Sequence, residues 1–131
     1  MLDETNYKID ENNSLLILDD DQPFLKRLSV AMEKRGFNVF PASSMAEFSR
    51  IIESDCPNYA IIDLRLSDGT GLDAVESIRN VNPESKIIVL TGYGAIATAV
   101  AAVKIGAIDY LSKPADANDI LNALVFSDKS K

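Results

Sequence analysis

Short apolar runs alternate with helical-period segments five times along this chain, and that alternation limits the fold more than any other feature. Ser14–Leu18 (SLLIL) reads as a buried strand, and Gln22–Arg35 comes next with Phe24, Leu25, Leu28 and Met32 at helical spacing before Gly36. Phe37–Phe40 is a second strand. Ser44 and Glu47 form a capping-box pattern that opens a helix carrying Phe48, Ile51 and Ile52. Tyr59–Ile62 is strand-like, Leu64–Thr70 reads as a loop, and Leu72–Arg79 places Leu72, Val75 and Ile78 on one helical face. Lys86–Leu90 is a fourth strand. The Ala-rich Ala95–Ile105 is a helix with Ile96, Val100 and Val103 as its expected inward stripe, closed by Gly106. Ile108–Leu111 and Asp116–Val125, with Asp116 as an N-cap, complete the series. Parallel strands need crossover connections, so five such units predict one doubly wound α/β domain. Residues 14–126 form that domain, residues 1–13 are expected to be a flexible leader, and 127–131 a charged tail or the start of a linker.

Composition narrows the function. In 131 residues there are 13 basic and 20 acidic side chains, a net charge of −7, which disfavours direct contact with a phosphate backbone. There is no His, so Ser-His-Asp triads, Cys-His pairs and His-ligated metals are excluded. The single Cys56 has no internal disulfide partner and fits a reducing compartment; it reads as an incidental thiol rather than a redox sensor. No apolar run approaches the roughly 18 residues of a membrane span, and the acidic start is unlike a signal peptide. The expectation is a cytoplasmic protein with no membrane partner.

The residues just past the strands are more informative. The first strand runs into Asp19, Asp20 and Asp21, the third into Asp63, the fourth into Thr91 and Gly92, and the fifth into Lys113 and Pro114. Open α/β sheets bind ligands beyond the carboxyl ends of their strands. With strand order 2-1-3-4-5 and neighbours about 4.8 Å apart, Asp63 lies one step from Asp19 and Asp20 and one step from Thr91. Lys113 starts roughly 10 Å away, a gap that its long stem can largely close. Carboxylates so gathered repel, and an all-oxygen site without His or clustered Cys points to a hard divalent ion, with Mg²⁺ the expected one. Asp63 beside the ion, the Thr91 hydroxyl and the Lys113 ammonium then fits a carboxylate nucleophile that accepts a phosphoryl group. Gly92 leaves room for that group to approach. Taken singly, the acidic triplet is an ordinary helix-end charge cluster, Asp63 a turn residue and Lys113 a solvated lysine; only the conjunction speaks for a site.

DDD at 19–21, DLRLSDGTGLD at 63–73, TG at 91–92 and DYLSKP at 109–114 resemble the receiver domain of two-component response regulators. The segments MEKRGF, VLTGYGAIATAVAAVKIGA and DYLSKPADAND resemble, more narrowly, the redox-responsive global regulators of the RegA/PrrA type. The resemblance implies a flavodoxin-like (βα)5 fold and a phosphoryl group received by Asp63 from a sensor histidine kinase. It implies Mg²⁺ ligated directly by Asp20, through water by Asp19, and by Asp63 and the Arg65 backbone carbonyl. It further implies a Thr91–Tyr110 switch, although Tyr110 also reads as an ordinary half-buried aromatic, and a Lys113–Pro114 peptide that is typically cis. The expected outcome is a signalling switch, not an enzyme acting on other substrates, with a phosphorylation-promoted homodimer. DNA would be met only through an effector domain beyond Lys131; a stand-alone receiver in a phosphorelay is the alternative. Two departures stand out: Asp21, expected to be exposed or to cap a helix, and Ser67 where many receivers have Pro, expected to have a local effect only. Rival classes fit less well. An aspartyl-phosphate phosphatase commonly wants a second acid at the place of Arg65, and an FMN carrier wants a hydroxyl-rich cradle where three acids stand.

Overall fold

The computed structural model describes residues 13–92 and 96–126. The expected leader (apart from Asn13), the expected tail and the first residue of the expected fourth helix, Ala95, lie outside the described residues. Five parallel strands, β1 (Ser14–Leu18), β2 (Asn38–Ala42), β3 (Tyr59–Asp63), β4 (Lys86–Thr91) and β5 (Asp109–Ser112), stand in the order β2-β1-β3-β4-β5. Helices α1 (Gln22–Lys34), α2 (Met45–Ser54), α3 (Gly71–Val81), α4 (Ile96–Lys104) and α5 (Ala117–Phe126) connect and follow them. The expected fold and strand order are both observed.

Successive residues of the central strands face opposite layers. Leu16, Leu18, Ala60, Ile62, Ile87 and Val89 pack under α2, α3 and α4, while Leu15, Ile17, Tyr59, Ile61, Ile88 and Leu90 pack under α1 and α5. Every residue of β1 and β3 is buried, as suits strands covered on both faces. β2 is an edge strand carrying Pro41, a position where a missing N–H costs the sheet nothing.

Local signals set the element ends. Asp21 is exposed and caps α1, its Oδ1 accepting from the Phe24 N–H at 3.1 Å, so both expectations for it hold. Ser44 caps α2 by accepting from the Glu47 N–H at 3.1 Å, while the Glu47 carboxylate reaches back to the N–H and hydroxyl of Ser43, one residue earlier than a standard capping box. Asp116 caps α5 through the Asp119 N–H at 2.9 Å. Gly36 and Gly106 close α1 and α4 at φ of 101° and 135°, where a side chain would be strained.

Two expectations are corrected. Within the expected loop Leu64–Thr70, residues Arg65–Leu66 pair antiparallel with Gly69–Thr70, so Ser67 and Asp68 form the tip of a small hairpin. More important, Ile96, Val100 and Val103 do not face inward: they are 50%, 41% and 38% exposed, and α4 buries Ala99 and Ala102 instead. In a helix whose only polar residues are Thr98 and Lys104, hydrophobic period cannot distinguish inside from outside. Packing decides, and the small side chains let the helix backbone lie close to the sheet.

Candidate functional site

The chain leaves β1 at Leu18 and β3 at Asp63 in adjacent register, with Ile62 opposite Leu18 and Asp63 opposite Leu90 of β4. That pairing fixes three acids at one rim. Asp19 is wholly buried, Asp63 is 5% exposed and Asp20 is half-buried, and each offers a carboxylate oxygen within 4.8 Å of the others. Lys113 closes the gap from β5: its Nζ lies 3.0 Å from Asp19 Oδ2 and 3.5 Å from Asp63 Oδ2. Its own N–H donates to the Thr91 carbonyl at 2.9 Å, and the Lys113–Pro114 peptide is cis, as expected. Its ammonium also sits 4.8 Å from the centroid of the Phe24 ring, a cation–π contact.

Each carboxylate is held separately. Asp19 Oδ1 accepts from the Asp21 N–H at 2.9 Å, and Asp63 Oδ1 from the Arg65 N–H at 3.2 Å. Asp20 Oδ2 accepts from both the N–H and the hydroxyl of Ser67, at 2.8 and 2.7 Å. Burial, and after it the Asp19 charge, push the Asp63 carboxyl from an ordinary 3.8 up to about 6, against the Arg65 hydrogen bond and Lys113. Burial alone would pull Lys113 down, but its hydrogen bond to Asp19 and the two carboxylates hold it above its usual value. A pocket of buried carboxylates, one of them reluctant to ionise, has the donor chemistry of a hard oxygen-seeking divalent ion, so these residues fit Mg²⁺.

The structure thus brings Asp19, Asp20, Asp63 and Lys113 together. Thr91 is fully buried at the end of β4, with its hydroxyl donating to the Gly92 carbonyl at 3.2 Å. A Cβ at Gly92 would meet nothing within 4 Å, so there is open space there whatever the residue. Tyr110 is half-buried against the hydrophobic cluster under α2–α4. Arg65 is exposed and meets Asp63 through its backbone N–H. Cys56 is half-buried at the edge of the same cluster as Tyr110, and burial raises its thiol pKa, which makes it less reactive.

Three contributors were not read from the sequence. Phe24 figured only as a helix-face residue, and Ser67 only as a departure from Pro. Gly71 was not singled out: a Cβ there would lie 2.5 Å from the Asp63 carbonyl oxygen and 2.7 Å from Leu64 Cα, so only glycine lets α3 start against the end of β3. The one available signal was the pair of glycines flanking Thr70 in DGTG, shortly after the candidate nucleophile.

A five-stranded doubly wound sheet with three acids and a lysine converging on one rim is the arrangement that comparison with known proteins identifies. The chain belongs to the response regulator receiver domain family, whose model matches residues 15–125. It is 62% identical over 122 residues to the photosynthetic apparatus regulatory protein RegA of Rhodovulum sulfidophilum, covering 93% of this chain and 67% of that protein. It is 59% identical over 117 residues to the acid tolerance regulatory protein ActR of Rhizobium meliloti, covering 89% of this chain and 60% of the relative. Among solved structures it resembles a response regulator from Burkholderia pseudomallei, crystallised with a phosphorylated aspartic acid, a calcium ion and citrate. That match has a TM-score of 0.83 and 35% identity, and covers 90% of this chain and 70% of the other. The protein is therefore a receiver domain of a two-component response regulator, homologous to the RegA and ActR regulators.

Proposed function

We propose that Asp63 accepts a phosphoryl group from the phosphohistidine of a sensor histidine kinase, with Mg²⁺ held by Asp19, Asp20, Asp63 and the Arg65 backbone carbonyl. The observation that carries this reading is the convergence of three carboxylates and the Lys113 ammonium at the end of β3. An Asp63 carboxylate oxygen attacks phosphorus while the phosphorus–nitrogen bond to the kinase histidine breaks, and the electron pair leaves with the imidazole. Mg²⁺, when bound, offsets the charge gathering on the phosphoryl oxygens. Lys113 is already poised between Asp19 and Asp63 and supplies a second positive charge. The Arg65 N–H fixes one Asp63 oxygen so that the carboxylate presents a defined face. The bound calcium ion and phosphorylated aspartic acid of the Burkholderia pseudomallei protein support the pairing of a hard divalent ion with an acyl phosphate on this fold.

Chemistry ends at the chain's own phosphorylation and dephosphorylation. Arg65 stands where an aspartyl-phosphate phosphatase would place its second acid, so turnover of other phosphate esters is not expected. The Thr91 hydroxyl turns to the phosphoryl group, Tyr110 moves in step, and the α4–β5–α5 surface is reshaped. Exposed Ile96, Val100 and Val103 on α4 then support self-association. The domain is read as the cytoplasmic input module of a transcription regulator that meets DNA through a separate effector domain, as the names of its relatives suggest. Among the described residues, no helix is long and apolar enough to cross a membrane.

The test is phosphorylation by a small-molecule phosphodonor with Mg²⁺, followed by intact mass. One phosphoryl group is expected on the wild-type chain and none on Asp63→Asn. Full phosphorylation of that variant would overturn the assignment. Light scattering after confirmed phosphorylation is expected to show a dimer; an unchanged monomer mass would remove the self-association step alone.

A further inference from the structure

We propose that Ser67 is a positioning residue for the cation site, holding Asp20 in the cluster before the ion arrives. The inference rests on reading Asp19, Asp20 and Asp63 as a Mg²⁺ site. Of these three acids Asp20 is the most exposed, and repulsion from two buried neighbours would turn an unrestrained Asp20 outward to water. Ser67, 47 residues away, prevents this with two donors on a single oxygen, its N–H at 2.8 Å and its hydroxyl at 2.7 Å from Oδ2. Both bonds fall on Oδ2, so Oδ1 is the oxygen proposed for the ion.

Ser67 is itself fixed. It sits at the tip of the hairpin formed by Arg65–Leu66 and Gly69–Thr70. The next residue, Asp68, accepts from the Met45 N–H at 3.1 Å to each of its carboxylate oxygens, which pins the tip to the start of α2. Gly69 lies so close to Met45 that a Cβ there would come within 2.8 Å of Met45 Cγ. The hairpin is therefore braced on one side by α2 and on the other by Asp20.

The sign of the effect comes from the geometry. With both Ser67 bonds in place, the three ligand oxygens already lie within 4.8 Å of one another. Two oxygens on one Mg²⁺, each at about 2.1 Å, are at most about 4.2 Å apart. Asp20 and Asp63, the two direct ligands, are thus near bonding separation with the clamp in place, and in the proposed arrangement Ser67 works with the ion and not against it. Partners that orient metal ligands from behind contribute about 10- to 100-fold in affinity, and a solvent-exposed clamp of which Ser67→Ala removes the hydroxyl but keeps the N–H falls at or just below the lower end.

The experiment is a calorimetric Mg²⁺ titration of the wild-type chain, Ser67→Ala and Ser67→Thr, read alongside the Mg²⁺ concentration that gives half-maximal phosphorylation by a small phosphodonor. Ser67→Ala is expected to weaken Mg²⁺ binding about three- to tenfold and to shift the half-maximal concentration by the same factor. Ser67→Thr, which keeps the hydroxyl, is expected to stay within about twofold of wild type. Unchanged affinity in Ser67→Ala would overturn the proposal, and so would tighter binding, which would show that the clamp competes with the ion. Absence of Mg²⁺ uptake by the wild-type chain would overturn the site reading and this proposal together, so the two failures are distinct.

Discussion

Helices α3 and α4 lie side by side on one face of the sheet, and each is joined to a strand that ends in a site residue, yet they are held by different means. α3 buries Gly71, Ala74, Val75 and Ile78, and its first turn presses against the Asp63 backbone. α4 buries only Ala99 and Ala102 and leaves Ile96, Val100 and Val103 to solvent. Large side chains seated in a close-packed layer lose much contact when they shift, whereas methyl groups on a flat surface lose little. A charge event at the rim therefore finds one neighbour fixed and the other free to yield. Under the proposed function, the contrast makes α4 the element suited to report on Asp63, while α3 starts against the Asp63 backbone.

The largest expected break in this contrast comes from core truncation. Ile78→Ala is expected to destabilise the domain by about 2–4 kcal/mol, since it removes a fully buried side chain. Val103→Ala on α4 is expected to cost within about 0.5 kcal/mol. Urea melts of both variants check the difference, and equal losses would mean that α4 is anchored as firmly as α3.

Charge at the rim gives the next effect. Asp63 binds its proton more tightly in the folded chain, at about 6, than in the unfolded one, near 3.8. Stability from this group is complete below pH 3.8 and is lost as pH rises through 6. Asp63→Asn escapes that loss. Without Mg²⁺ it is expected to be more stable than wild type at pH 8 by about 2–3 kcal/mol, the size of the whole shift from 3.8 to about 6. The gain is expected to fade towards pH 4 in denaturant melts, and a gain that is constant with pH would point to packing instead of charge. Wild type should recover part of the deficit on adding the ion. A tenfold excess of Mg²⁺ over its dissociation constant is expected to add about 1.4 kcal/mol, seen as a rise in Tm that is absent or much reduced in Asp63→Asn.

The smallest effect sharpens the comparison at the surface. Val100→Ser is expected to leave stability within about 0.5 kcal/mol of wild type while weakening self-association of the phosphorylated chain in light scattering.

Most of the fold was legible because strong local signals agreed with one another. The SLLIL run, the caps at Asp21, Ser44 and Asp116, and the glycines after α1 and α4 each name an element boundary. The acids and the lysine were legible because they close strands, and strand ends meet wherever the sheet order is right. Legibility failed where one pattern allowed two outcomes. The apolar surround of α4 gave no polar face to orient it, so Ile96, Val100 and Val103 looked like core. Ser67 and Phe24 failed for another reason: their partners, Asp20 and Lys113, lie 47 and 89 residues away, and no local rule joins them.

Pro41 in the edge strand β2 has a consequence for assembly. An extended segment from another molecule that tried to lengthen the sheet at that margin would find a donor missing midway along the strand. At that margin, copies of this domain that meet are thereby steered towards side-chain contact, which can be made and undone as the signal comes and goes, and away from a continuous backbone seam; the opposite edge, β5, carries no such proline.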